Sequence, residues 1–130
     1  MSVVVGYVPT REGRAALDHG VREAVLRGVP LVVVSSRPDR PDDDAALEGD
    51  LAGHVPVLVA AGLAHERRQL PPGGDTADDI LALAHDVKAQ LIVVGLRRRS
   101  PVGKLLLGSI AQRILLDASC PVLAVKGVEP

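Results

Sequence analysis

A chain of 130 residues has the length of one domain, and 47% of it is apolar, enough to bury a sizeable core. The apolar residues are aliphatic, with one Tyr, no Phe and no Trp, which excludes nucleic-acid modules that stack bases on aromatic rings. Fifteen basic residues against sixteen acidic ones leave a formal charge of −1, so no global attraction to nucleic acid or membrane is implied, and one Cys excludes an internal disulfide or a cysteine metal cluster.

The chain enters a strand at once, without a signal or transit-type segment, and no apolar run nears the ~18 residues of a membrane span. A soluble, cytoplasmic protein with neither membrane nor nucleic-acid partners is expected. Ser2 to Val8 (SVVVGYV) is β-branched and apolar, a strand buried on both faces. Arg11 to Arg27 carries Leu17, Val21, Ala24 and Val25 at helical spacing; Thr10 is placed to cap this helix, and Gly28-Val29-Pro30 stops it. Leu31 to Ser35 is a second buried strand, so the unit implies parallel pairing and a right-handed crossover.

Arg37 to Asp44 (RPDRPDDD) reads as loop. Ala45 to Leu63 suits a helix broken or bent near His54 to Pro56, since proline inside a helix costs about 3 kcal/mol. His65 to Leu70 reads as a polar edge strand and Pro71 to Gly74 as a turn. Asp75 or Thr76 then caps a helix whose stripe is Ile80, Leu83, Ala84 and Val87.

Leu91 to Val94 is a fourth buried strand, which Gly95 is expected to end. Arg97, Arg98 and Arg99 form a basic loop leading to Gly108-Ser109 and an amphipathic helix, with Ile110, Ile114 and Leu115 expected inward. Ser109 and Gln112 have the spacing of a capping box. Cys120-Pro121 ends that helix, and Val122 to Lys126 is the last strand. The alternation of five strands and four helices predicts a doubly wound α/β sandwich, its crevice beyond the strand C-termini where the winding reverses. A strand, a glycine-bearing loop and a helix N-terminus in succession can hold a phosphate, because the first amides of a helix lack partners and carry its positive dipole end.

The block from Leu91 to Lys126, with LIVVG, VGKLLLGS and CPVLAVK, resembles the universal stress protein family, and the likeness runs along essentially the whole chain. The family's nucleotide-binding branch has a Gly-x2-Gly-x9-Gly-Ser/Thr loop. Gly95 and Gly108-Ser109 stand at its first and last places with the total spacing preserved, while Arg98 replaces the middle glycine. Val8 stands where ATP-binding relatives carry an Asp that contacts adenosine. Arginine restricts backbone approach but adds a planar, permanently charged phosphate donor.

The resemblance implies a three-layer α/β/α sandwich with a five-stranded parallel sheet in the order 3-2-1-4-5, the adenine nucleotide alpha hydrolase-like fold. The implied ligand is ATP or AMP, with or without Mg²⁺. Gly6, Tyr7, Val8 and Val34 would wall the adenine and ribose, and Val94 and Gly95 would lie beneath them. Gly108, Ser109, Ile110 and Ala111 would hold phosphate, with Arg97 and Arg98 over it. A homodimer through Val122–Val125 and a regulatory role in the stress response are implied likewise.

No enzyme is expected. His19, His54, His65 and His85 are scattered, no nucleophile–base set assembles, and Gly103-Lys104 is followed by Leu105 rather than the Ser/Thr of a P-loop. The alternative is a nucleotide-free dimeric interaction protein of the same fold, its crevice closed by Arg98.

Overall fold

The β-branched runs form the centre of one sheet in the computed structural model of the chain, which describes residues 1–35, 41–71, 73–99 and 104–127. In chain order the elements are β1 (Ser2–Tyr7), α1 (Arg11–Arg27), β2 (Leu31–Ser35), α2 (Pro41–Ala52), α3 (Val55–Ala60) and β3 (His65–Gln69). They continue with α4 (Thr76–Asp86), β4 (Ala89–Arg99), β5 (Lys104–Leu106), α5 (Ser109–Asp117) and β6 (Val122–Lys126). Five strands pair in parallel in the spatial order β3-β2-β1-β4-β6, the expected 3-2-1-4-5 winding, while β5 returns antiparallel to the end of β4.

Side-chain alternation divides the core. Val3, Val5 and Tyr7 of β1, Leu31 and Val33 of β2, and Leu91 and Val93 of β4 pack against α1, with Leu47, Leu51 and Leu58 from α2 and α3. Val4, Val32, Val34, Ile92 and Val94 pack on the other face against Ala77, Ile80 and Ala84 of α4 and Ala111 and Ile114 of α5. A parallel sheet covered on both sides needs such aliphatic strands.

The stop and break signals act where the residues place them. Thr10 accepts the Gly13 N–H at 3.2 Å, and Gly28 adopts φ +67° as it closes α1 onto the Ala24 and Val25 carbonyls. The helix after β2 is broken between Ala52 and Val55, next to Pro56. It starts earlier than expected, however: Pro41–Asp44 are helical, since proline suits the first helical position and acidic residues suit the first turn. The rest of that loop expectation, residues 37–40, lies outside the described residues. Arg67 of the edge strand β3 pairs with Asp44 and Glu48 and so ties α2 to the sheet.

The ring of Tyr7 points away from the expected ligand wall, where the residue stands with its main chain. Its position on the α1 face buries the ring in the core, where the hydroxyl donates to the Asp50 carboxylate of α2. Burial, and then the Asp50 carboxylate, push the phenol well above its ordinary range. A raised folded-state value means this contribution to stability is complete below about pH 10, the unfolded value, and is lost as pH rises beyond it. Tyr7 is the sole tyrosine, so the ultraviolet phenolate signal reads it alone. That signal is expected to appear only as the protein unfolds in alkali; an ordinary reversible titration near pH ~10 in folded protein contradicts the buried bond.

Candidate functional site

The site grows from two places where the chain tolerates no side chain. A Cβ on Gly13 would lie 1.7 Å from the Val8 carbonyl oxygen, so the first turn of α1 rests directly on the end of β1. A Cβ on Gly95 would lie 2.6 Å from the Glu12 carbonyl oxygen, which brings the same turn onto β4. Val8, Glu12 and Gly95 are thereby gathered where β1 ends beside β4, the two strands between which the winding reverses.

A partly open cavity of about 300 Å³ lies there. Gly6, Tyr7 and Val8 line it from β1 and Val34 from β2. Val94, Gly95 and Arg97 line it from β4, and Gly108, Ser109, Ile110 and Ala111 from the start of α5. Tyr7 contributes main chain, since its ring is on the opposite face. The expectation that Arg98 lies over the ligand concerns a side chain outside the described residues. Five lining residues were not foreseen: Glu12, Leu70, Thr76, Ile80 and Ile114. Ile80 and Ile114 were legible as core; Glu12, Leu70 and Thr76 reach the cavity only because α1, β3 and α4 end there.

Gly95 does not end its strand. β4 continues to Arg99 and turns back as β5, with Arg97 opposite Leu106 and Arg98 opposite Leu105. The arginine run therefore belongs to an antiparallel hairpin rather than a loop. Arg97 is exposed, and its Nε lies 4.0 Å from where a Cβ on Gly108 would stand.

The capping box is absent as well. The N-cap of α5 is Gly108, in extended geometry (φ −61°, ψ 159°) and without a side-chain cap, and Ser109 is the first helical residue. The first intrahelical bond runs from the Gln112 N–H to the Gly108 carbonyl at 2.8 Å, so the amides of Ser109, Ile110 and Ala111 precede it and point out of the helix end. This start also selects a different inward stripe: Ala111 and Ile114 are buried, whereas Ile110 and Leu115 are 44% and 46% exposed.

Arg113 of α5 fixes the neighbouring helix start. It pairs with Asp75 at 2.9 Å and with Asp78, while Asp75 caps α4 by accepting the Asp78 N–H at 3.0 Å. That backbone bond, with Arg113, holds the Asp75 carboxyl below the usual carboxylate range. These groups are well exposed, so the pairs orient the two helix ends more than they stabilise the fold. The result is a cavity with an apolar floor from Val34, Leu70, Ile80 and Val94, and a rim of α5 amides, Ser109 and Arg97 that suits an anion.

Fold and cavity together define a doubly wound α/β protein with a crevice at the switch point between β1 and β4. The sequence model of the Universal stress protein family matches residues 1–126, and the chain belongs to that family. A universal stress protein of Mycolicibacterium smegmatis is 43% identical over 126 residues, covering 95% of this chain and 96% of the relative. Among solved structures, the universal stress protein of Archaeoglobus fulgidus in complex with dAMP is 30% identical, covers 97% of this chain and 98% of its own, and superposes with a TM-score of 0.71. A universal stress protein in complex with cAMP is 27% identical, covers 98% of both chains and has a TM-score of 0.70. The fold is the adenine nucleotide alpha hydrolase-like fold of these neighbours.

Proposed function

We propose that the protein binds an adenine nucleotide in this cavity, the phosphate at the uncapped amides of Ser109, Ile110 and Ala111 beneath Arg97, and the purine on the apolar floor. The observation that carries the reading is the juxtaposition of that helix start with an aliphatic floor at the switch point. The dAMP and cAMP complexes of the two related structures support it. ATP and AMP are the ligands to try first. Among the described residues no group of three metal-ligating side chains exists, so any Mg²⁺ would arrive on the nucleotide's own phosphates.

The protein acts in this reading as a cytoplasmic regulator in the stress response rather than as an enzyme. It pairs with a second copy along β6, the end strand of the parallel order. No helix among the described residues is long and apolar enough to cross a membrane. Calorimetric titration with ATP, AMP and cyclic AMP tests the binding, and the absence of heat with all three at millimolar ligand defeats it. Gly108→Val sharpens the placement. The backbone there is unstrained for valine and a Cβ meets nothing nearer than Arg97, so the fold is expected to persist. AMP affinity is expected to fall about tenfold or more as the valine covers the amides. An unchanged affinity moves the phosphate elsewhere.

One observation favours a second reading, a nucleotide-free dimeric interaction protein: Val8 at the cavity mouth is 42% exposed and offers a ligand no side-chain hydrogen bond. Mass spectrometry of small molecules released from freshly purified protein separates the two, since a co-purifying purine excludes the second.

A further inference from the structure

One arginine outside the cavity joins two of its walls. Arg113, in the second turn of α5, turns all three guanidinium nitrogens toward carboxylates: Nη1 to Asp75 at 2.9 Å, Nη2 to Asp78, and Nε to Asp117 of its own helix at 3.7 Å. Asp75 is the N-cap of α4 and Asp78 lies in its first turn, so these pairs cross from one helix to the start of the other. Each nitrogen already faces a carboxylate and the cluster is net negative, so it does not draw in an anionic ligand as Arg97 does.

The two helices carry different parts of the site. α5 brings the amides of Ser109, Ile110 and Ala111, whereas α4 brings Thr76 and, from the apolar floor, Ile80. The sheet holds α4 through Ala77, Ile80 and Ala84, two of them alanines. Apolar contact is non-directional and short side chains interlock little, so burial keeps α4 on the sheet without fixing how its start is set against α5. The chain enters α4 through Gly73, at φ +79°, and Gly74, the residue type with the widest backbone freedom. The directional bonds are those of Arg113, a planar fork whose nitrogens fix both distance and angle.

We infer that Arg113 is a positioning residue of the site: by holding the start of α4 against α5 it sets the separation between the phosphate amides and the purine floor. This rests on the nucleotide reading above and names the residue that aligns the two halves of the ligand. Exposed pairs of this kind contribute little to stability, so loss of Arg113 shows in binding before it shows in melting.

The test is thermal melting of the full chain across a millimolar series of AMP, or of ribose 5-phosphate, which carries the phosphate without the base. Wild type, Arg113→Met, Arg113→Lys and Asp78→Ala are compared; the ligand-dependent rise of the midpoint reads affinity, and the ligand-free midpoint reads stability. Arg113→Met is expected to weaken AMP about fivefold, to leave ribose 5-phosphate unchanged and to move the ligand-free midpoint by no more than about 3 °C. Arg113→Lys, still a cation but without the fork, is expected to restore AMP affinity partly. Asp78→Ala decides the question with AMP alone. It removes an anion, so a direct field on the phosphate would tighten binding, whereas the inference expects AMP to weaken about threefold. Equal losses of both ligands in Arg113→Met, tighter AMP binding by Asp78→Ala, or unchanged AMP affinity in both variants overturns the inference while nucleotide binding by wild type stands. Failure of wild type to bind AMP at all removes both readings.

Discussion

Gly13→Ala is expected to destabilise the protein by about 3 kcal/mol and to lower its melting temperature by roughly 10 °C, although helix propensity alone favours alanine by about 1 kcal/mol. The sign is decided by the neighbours. The added Cβ would stand 1.7 Å from the Val8 carbonyl oxygen, 2.6 Å from its carbon and 2.8 Å from the Val8 nitrogen. All three are main chain, so no rotamer change makes room. Either α1 lifts from β1, loosening Ala16, Leu17 and Val21 in the core, or the end of β1 moves. Overpacking of this kind exceeds the propensity gain several-fold, and the loss is a large share of a total stability of about 5–15 kcal/mol. Gly49→Ala is the internal contrast: that glycine is exposed on α2 with nothing within 4 Å of its Cβ, so alanine is expected to add about 0.5–1 kcal/mol. Denaturant unfolding of both variants checks the pair. Equal effects would mean that α1 does not rest on Val8 as described.

How far the chain could be read before its structure depended on whether a signal was local. The strands from Val3, Leu31 and Leu91, the Gly28 stop and the break beside Pro56 each act through their own few residues, and each stands where composition and spacing placed it. The errors arose where a partner distant in sequence decides. Gly95 looks like a strand terminator, but it is glycine because the main chain of Glu12 crosses it, and β4 runs on because β5 pairs with Arg97–Arg99. Ser109 looks like a cap, but Gly108 already serves, which moves the buried stripe of α5 to Ala111 and Ile114. Tyr7 lines the cavity with its main chain only, since strand alternation sends its ring to Asp50. Glu12, Leu70 and Thr76 carry no motif. They meet at the cavity because the ends of α1, β3 and α4 do, and the family loop pattern speaks only for Gly95 and Gly108-Ser109.

Gly95→Ala is expected to weaken fold and site together, by about 2 kcal/mol in stability and about tenfold in AMP affinity. Its Cβ would lie 2.6 Å from the Glu12 carbonyl oxygen and 2.8 Å from both the carbonyl carbon and the Cβ of Glu12. β4 cannot yield, because it is paired on both sides: Val93 opposite Val5 of β1, and Val94 and Gly95 opposite Ala124 and Val125 of β6. The first turn of α1 must move instead, carrying Glu12 away from the cavity it lines. Gly6→Ala separates the two effects. There the nearest atom to a Cβ is Val94 Cγ1 at 3.5 Å, an ordinary contact, so stability is expected to change little while a methyl group intrudes on the cavity. Thermal melts with AMP titration on both variants are the measurement. Should Gly95→Ala melt and bind like wild type, α1 and β4 are not in the contact that shapes this site, and the placement of Glu12 falls with it.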